Sequence, residues 1–344
     1  MQVTRVGLDL AKRVFQVHGV DVHGKTKLSK KLGRGEMLQF FAQLPACVVG
    51  VEACGGAHYW ARELGKFGHT VRLMAAQFVN PYRKSGKNDV NDAEAICEAV
   101  GRPNMRFVPP KSEEQQALLM VHRARSLVVA NRTAQVNQIR GLLGEFGLVV
   151  PVGLRRLRTQ LPQILEDAEN GLPILARHVF AELLQELHAL DEKIQKIQRY
   201  DRQLQELARQ SEPARRVMAL EGIGPITATA FVASVGDARV FKNGRQFAAW
   251  LGLTPRQYSS GGTTRLGRIT KRGDRYLRML LVHGARAHLR FVERKNDPKS
   301  LWIKGLRARR HVNVAAVALA AKHARIIWAL LAKGTTYRLP AAAT

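Results

Sequence analysis

The first third of the chain alternates strand and helix signals, and this order constrains the fold more than any other feature. Residues 1–105 give three strands, a helix, a strand, a helix, a strand and a helix, as apolar runs bounded by glycine and polar turns. A turn around Gly24 predicts that the first three strands are antiparallel neighbours. Later strands separated by helices indicate a mixed α/β layer.

Long helices follow this region. A Ser112-Glu-Glu-Gln capping box after two prolines begins one helix, which runs to about Leu143. A Gly- and Pro-bearing stretch, 144–173, leads into a second long helix ending near Ala208. Its apolar residues repeat at alternating spacings of four and three, which predicts either a coiled-coil arm or a helical hairpin packed on its own core. The seam residues are Leu183, Leu187, Leu190, Ile194, Ile197 and, after a break at Asp201, Leu204.

These patterns predict three regions: an α/β domain over 1–108, a coiled-coil helical region over 109–210 and a mainly helical C-terminal domain over 211–344. The start, MQVTRVGLDLAKR, lacks a signal peptide, and the apolar run 314–331 is interrupted by charged residues, so no membrane span is expected. Three cysteines without a CxxC pair fit a reducing compartment. We therefore expect a cytoplasmic protein.

The net charge defines the class of partner. The 344 residues include 55 Lys plus Arg against 27 Asp plus Glu, a formal charge of +28. A particle with this charge repels itself unless polyanions screen it, so nucleic acid is the expected partner and an acidic membrane surface the competing one.

Two acids lie in apolar strands. Asp9 is inside V-G-L-D-L and Glu52 ends V-V-G-V-E. Burying such a carboxylate costs on the order of several kcal/mol unless it is paired or bound to metal. For either acid alone, a salt bridge, such as one between Lys12 and Asp9, would explain the buried carboxylate without a metal ion.

Two further acids, Asp89 and Asp92, fall where a helix begins. Asn91-x-x-Glu94 is a capping box, and acids in a first helical turn are favoured by the helix dipole. Residues i and i+3 also share a helix face, so both carboxylates can point at one place. The four acids in this order form the pattern of RNase H-like nucleases, in which the first and fourth strands are adjacent. Oxygen ligands indicate Mg²⁺ or Mn²⁺.

The C-terminal region concentrates basic charge around glycines and serines. Residues 220–228, with Gly222 and Gly224, predict either a phosphate-binding helix-hairpin-helix turn or an ordinary helix–helix turn. Ser259 and Ser260 lie in a cation-lined loop, where a hydroxyl could attack a phosphodiester or simply form turn hydrogen bonds. The expected nucleic-acid-binding cations are Arg256, Arg265, Arg268, Lys271, Arg272 and Arg275.

Together these motifs resemble the DEDD-type insertion-sequence transposases, the bridge-RNA-guided serine recombinases of the IS-one-ten family and its IS-eleven-eleven branch. The resemblance covers nearly the whole chain. It rests on GLDLAK at 7–12, VEACGGAHYW at 51–60, KNDVNDAEAI at 87–96, PRQYSSGG at 255–262 and LGRITKRG at 266–273.

The resemblance implies a RuvC-like RNase H fold with Asp9, Glu52, Asp89 and Asp92 as metal ligands, a coiled coil used in assembly, and a C-terminal transposase domain. It implies Ser260 as the nucleophile, although adjacent Ser259 leaves the assignment open by one residue. It further implies a tetramer, a dimer of dimers, whose composite active site combines acids and serine from different protomers. A structured guide RNA would pair with donor and target DNA.

Three hypotheses follow for the activity. The first is an RNA-guided DNA recombinase acting through a phosphoserine intermediate. The second is a structure-specific endonuclease, such as a junction resolvase, that uses the acids and a metal-activated water. The third is a nucleic-acid-binding protein without catalysis.

Overall fold

The structure, a computed structural model, describes residues 2–84, 86 and 88–338. The chain divides into two compact units, residues 1–113 and 114–344. The predicted boundary between 210 and 211 falls inside the second unit and stays a prediction.

The first unit is built on a six-stranded sheet of order β3-β2-β1-β4-β5-β6. β1 pairs antiparallel with β2 and parallel with β4, so the first and fourth strands are neighbours, as predicted. The strands are β1 (Arg5–Leu10), β2 (Val14–Val20), β3 (Thr26–Gly33), β4 (Val48–Glu52), β5 (Thr70–Met74) and β6 (Phe107–Val108). The helices are α1 (Met37–Gln43), α2 (Ala57–Gly65), α3 (Ala76–Val79) and α4 (Asp89–Val100), with a 3-10 turn at Asn80–Tyr82.

Helices cover both faces of this sheet. Alternate side chains of β1, such as Val6 and Leu8, are fully buried in one cluster with Phe41 of α1 and Trp60 of α2. Residues between them point to the opposite face, because side chains alternate along a strand. There Gly7 of β1 and Gly50 of β4 lie under α4. The sheet is thus the middle of three layers.

Gly7 sets how closely α4 approaches β1. A Cβ atom at Gly7 would lie 2.1 Å from the carbonyl oxygen of Ala93 and 2.4 Å from the amide nitrogen of Cys97. Both atoms are helix backbone and cannot rotate away. The absence of a side chain at this position therefore lets the helix lie directly on the strand.

We expect Gly7→Ala to lower the free energy of unfolding by about 3 kcal/mol, because overpacking against backbone forces α4 outward. Urea unfolding of full-length protein measures this change. Gly65→Ala is the matched control, because a Cβ at Gly65 meets nothing within 4 Å. Equal midpoints for the two variants would contradict this role of Gly7.

The N-terminus of α4 differs from the predicted capping box. Asn88, not Asn91, is the N-cap, and its Oδ1 accepts a hydrogen bond from the Asn91 N–H at 2.8 Å. Glu94 instead binds the Lys84 ammonium at 2.6 Å. Asparagine caps equally well at either position, and the earlier start makes Asp89 the first helical residue and places Asp92 in the first turn.

The second unit contains the two predicted long helices. They are α5 (Glu113–Glu145) and α7 (Ile174–Gln210), and they enclose an unpredicted helix, α6 (Leu154–Glu166). The remaining elements are α8 (Glu212–Met218), α9 (Pro225–Val235), α10 (Gly244–Trp250), β7 (Pro255–Ser260), β8 (Thr263–Ile269), α11 (Arg275–Leu289), α12 (Pro298–Arg307) and α13 (Val312–Lys333). Short 3-10 turns lie at Ala238–Val240 and Val292–Arg294.

The heptad seam of α7 is covered in part within the chain, with three of its six residues buried and three half-buried. Leu187 is fully buried in a cluster with Ile139 of α5 and Leu161 of α6. At the break in the seam, Asp201 pairs with Arg125 of α5 at 2.7 Å. These contacts agree with the helical-hairpin alternative for this stretch, and a coiled coil between protomers stays a prediction.

The last helix, α13, is long and apolar enough to cross a membrane. One face of the helix is, however, fully buried in the core that α13 shares with α8 to α11, through Ala316, Leu319, Ala320 and Ile327. The helix is therefore a core helix of the second unit.

Candidate active site

Asp9 and Glu52 lie side by side at the carboxyl ends of adjacent strands. β1 and β4 are parallel, and their register pairs Leu8 with Val51, the residues directly before the two acids. Asp9 is on the same sheet face as Gly7, and Glu52 on the same face as Gly50, because each pair is two residues apart. Both carboxylates therefore belong to the face covered by α4.

Asp89 and Asp92 come to the same place from α4. Asp92 precedes Ala93, whose carbonyl faces Gly7, and Asp89 lies one turn earlier. Burial is the largest cause that raises the pKa of Asp9 to about 6, and the charges of Asp92, Asp89 and Glu52, in that order, contribute to the same rise. The four sequence-predicted acids are thus within electrostatic reach of one another.

An arginine that the sequence analysis did not single out contacts this group. The Nε of Arg83 lies 2.8 Å from Oδ1 of Asp92, and its Nη2 donates to Asn80 Oδ1 at 2.7 Å. Its signal in the sequence is weak, because Arg83 is one cation of a run of them before the helix. By contrast, the suggested Lys12–Asp9 salt bridge does not occur among the described residues.

The donor chemistry of the four acids fits a hard divalent cation. All four offer carboxylate oxygens, and their mutual repulsion favours a positive ion. Within the described ranges, no three acidic, His or Cys side chains converge closely enough to hold an ion as they stand. Coordination would therefore require these side chains to rotate, with Asp92 released from Arg83.

The serine segment is a β-hairpin and not the predicted flexible loop. β7 and β8 pair antiparallel, with Ser259 opposite Thr264 and Ser260 opposite Thr263. Gly261 and Gly262 form the two-residue connection with φ of +53° and +78°, the positive values that a type I′ turn needs. Glycine here favours a tight hairpin over a loop.

The two serines occupy different environments. Successive strand residues point to opposite faces, so the Ser259 and Ser260 hydroxyls diverge. Ser259 Oγ accepts a hydrogen bond from Gln257 Nε2 at 2.8 Å. An open groove of about 560 Å³ beside the hairpin is lined by both serines and by Tyr258, Thr263 and Arg265, so the serines differ in their hydrogen bonding and not in their access to this groove.

The predicted cations surround the hairpin. The backbone at its base is fixed by hydrogen bonds from Thr270 N–H to the Thr254 carbonyl and from Lys271 N–H to the Gly252 carbonyl. The exposed basic residues on the hairpin and after it are Arg256, Arg265, Arg268, Lys271, Arg272 and Arg275.

The two glycines predicted to bind phosphate have different surroundings. Gly222 is packed against α11, since a Cβ there would lie 2.3 Å from the Gly284 carbonyl oxygen. Gly224 is the N-cap of α9 with open space beside it. Glu221, next to Gly222, is bound by Lys295 and Lys299. Phosphate binding by either glycine stays a prediction.

Comparisons with known proteins place these features in one class. Residues 6–147 match a family named for the DEDD transposase of the IS110 type and described as "Transposase". Residues 214–299 match the family described as "Transposase IS116/IS110/IS902 family". A mixed α/β sheet followed by a mostly helical region is consistent with an RNase H-like DEDD transposase.

Full-length relatives carry the same description. A "Probable family 20 transposase" of Pseudomonas aeruginosa is 55% identical over 98% of this chain and 99% of its own length. The "Transposase for insertion sequence element IS1111A" of Coxiella burnetii is 45% identical over 97% of this chain and 91% of its own. The corresponding transposase of IS1328 from Yersinia enterocolitica is 41% identical over 97% and 98%.

The fold, the acids and these relatives together define a DNA transposase of an insertion sequence. The chain belongs to the IS110/IS116/IS902 family.

Proposed function

We propose that this transposase cleaves and exchanges DNA strands through a phosphoserine intermediate at Ser260, with Asp9, Glu52, Asp89 and Asp92 holding Mg²⁺ or Mn²⁺. The observation that carries the proposal is the position of Ser260. It lies at the exposed tip of a basic hairpin, and its hydroxyl has no protein partner in the described part of the chain. Ser259 is engaged by Gln257, which favours Ser260 as the nucleophile.

The proposed chemistry conserves phosphodiester bonds. Ser260 Oγ attacks the scissile phosphorus, the bond to the 3′ oxygen breaks, the serine proton passes to solvent and the leaving oxygen takes up a proton. The 3′-hydroxyl of the partner strand then attacks the phosphoserine and releases Ser260. Each step exchanges one phosphate ester for another, so no ATP is required.

A divalent ion on the four carboxylates would stabilise negative charge on the phosphate oxygens. The contribution of the chain is to place four oxygen donors near one sheet face, where burial and, after it, the charges of the other three acids raise the pKa of Asp9. Binding a cation relieves the repulsion among these charges.

The assembly follows from the family resemblance. We propose a tetramer, as a dimer of dimers, whose acids and serine act from different protomers. A structured noncoding RNA would guide donor and target DNA, and the net charge of +28 suits these polyanions. The site of action would be the nucleoid in the bacterial cytoplasm.

Trapping tests the mechanism. Full-length protein is incubated with Mg²⁺, duplex DNA from the ends of the element, and RNA transcribed from the adjacent noncoding segment, and is then denatured. We expect a protein–DNA adduct whose linked peptide includes Ser260. Hydrolysis without an adduct would instead support the junction-resolvase mechanism, and omission of the RNA tests the guide.

Arg83 should compete with the metal for Asp92. We expect Arg83→Gln to bind Mn²⁺ on the order of 10-fold more tightly, because one positive charge near the acids is removed and Asp92 is freed. Titration of Mn²⁺ followed by electron paramagnetic resonance measures this.

The control is Lys84→Gln, which removes the same charge one residue away, from a lysine paired with Glu94. It should leave the affinity nearly unchanged. Weaker binding by Arg83→Gln would show that Arg83 orients Asp92 and does not compete with the ion.

A further inference from the structure

The hairpin presents two chemically different faces. Directly opposed residues of an antiparallel pair point to the same side. Ser260 therefore shares a face with Thr263, and the next pair on that face is Tyr258 with Arg265. The other face carries Ser259 and Thr264, followed by Gln257 and Leu266. Only the first face combines a free hydroxyl with an aromatic ring and a cation.

Tyr258 is held as an exposed platform. A Cβ at Gly267 would lie 3.3 Å from Cε2 of Tyr258, so the ring covers the glycine of the opposite strand. The side chain is nevertheless 61% exposed. An aromatic ring kept in place and left open to solvent offers a stacking surface to a nucleobase, because every base has a π-face.

Arg265 stands next to the nucleophile. Two residues along a strand span about 6.5–7 Å, a distance that an arginine side chain covers. Arg265 is exposed, and no carboxylate in the described residues lies within salt-bridge distance of it. Its guanidinium is therefore free to bind an anion beside Ser260. Arg268 is on the same strand but three residues along, so it points to the opposite face.

We propose that this face binds one nucleotide of the cleaved strand: Arg265 binds the scissile phosphate that Ser260 attacks, and Tyr258 stacks on the adjacent base. The proposal rests on Ser260 being the nucleophile. It adds a catalytic role for Arg265, which stabilises the charge that grows on the phosphate in the transition state. It also makes Tyr258 a positioning residue that fixes the strand on the hairpin.

The role of Arg265 can be tested with a neutral scissile group. Arg265→Ala and Arg268→Ala are compared in the trapping reaction, with a normal phosphodiester and with a methylphosphonate at the scissile position. We expect Arg265→Ala to slow adduct formation at least about 100-fold on the phosphodiester and less than about 10-fold on the methylphosphonate, which lacks the charge to be stabilised. Arg268→Ala should have the same modest effect on both substrates.

The assignment would be overturned if Arg265→Ala slowed adduct formation equally on both substrates. It would also be overturned if Arg268→Ala slowed adduct formation on the phosphodiester as much as Arg265→Ala does. These outcomes differ from failure of the proposed function, in which the unaltered protein itself forms no adduct. Because both arginines are exposed on the hairpin, neither replacement should affect folding.

The role of Tyr258 can be tested by fluorescence. 2-Aminopurine is placed next to the scissile phosphate, and its quenching on binding is measured. We expect quenching with the unaltered protein and Tyr258→Phe, and its loss with Tyr258→Ala together with a roughly 10-fold weaker DNA affinity. Leu266→Ala is the control, because Leu266 is similarly exposed on the opposite face. Undiminished quenching in Tyr258→Ala would overturn the stacking role.

Discussion

Ser260→Ala should abolish the covalent protein–DNA adduct, with a loss of strand-exchange rate of at least about 1,000-fold, because the attacking oxygen is removed. Ser259→Ala should keep most of the activity. The Ser259 hydroxyl points to the other hairpin face and is engaged by Gln257. Denaturing gels of the trapping reaction measure the adduct, and sequencing of joined products measures exchange.

Ser259→Ala serves as the control for the hairpin itself, since both variants remove one hydroxyl from adjacent exposed positions. Ser260→Cys adds a second test, because a thiol at the same place can attack weakly. An adduct that persists in Ser260→Ala and disappears in Ser259→Ala would reverse the assignment. Hydrolysis retained in both variants would support a metal-activated water as the nucleophile.

The order of the main elements in the first unit could be predicted from the sequence because strands and helices have different periods, but the short α3, the 3-10 turn after it and β6 were not predicted. The side-by-side position of Asp9 and Glu52 was also predictable, since it depends on which strands are adjacent. The N-cap of α4 could not be predicted, because Asn88 and Asn91 are equally suitable N-cap residues and only tertiary packing selects one. Arg83 was beyond prediction because its partner depends on where a short 3-10 turn places it.

The second unit was harder to predict. α6 was missed because Pro162 lies inside it and glycines lie on both sides, signals that usually mark a loop. The serine segment was expected to be a loop because glycine and serine are enriched there. When the two glycines form a two-residue turn, the alternation of side chains along the strand puts the two serines on opposite faces of the hairpin. This assignment requires the register of β7 against β8, which the sequence alone does not give.

Asp9→Asn should lower the cleavage activity and raise the stability of the metal-free protein. We expect cleavage to fall at least about 100-fold, because one ligand of the proposed metal loses its charge. Without metal at pH 8, the variant should be more stable than the unaltered protein by about 1 kcal/mol, after allowance for solvent screening. The reason is that the pKa of Asp9 in the folded protein, about 6, lies above its ordinary value of 3.8.

The sign of this effect fixes its pH dependence. A carboxyl with a raised pKa in the folded state destabilises the protein as pH rises from about 4 through about 6, because the unfolded chain ionises more readily. The gain from Asp9→Asn should therefore be full at pH 8 and vanish below pH 4. Thermal unfolding in EDTA across this range measures it. Glu94→Gln is the control on α4, because Glu94 pairs with Lys84. A metal-free Asp9→Asn variant no more stable at pH 8 than at pH 4, relative to the unaltered chain, would show that burial and the neighbouring carboxylates do not raise the pKa of Asp9 in the folded protein.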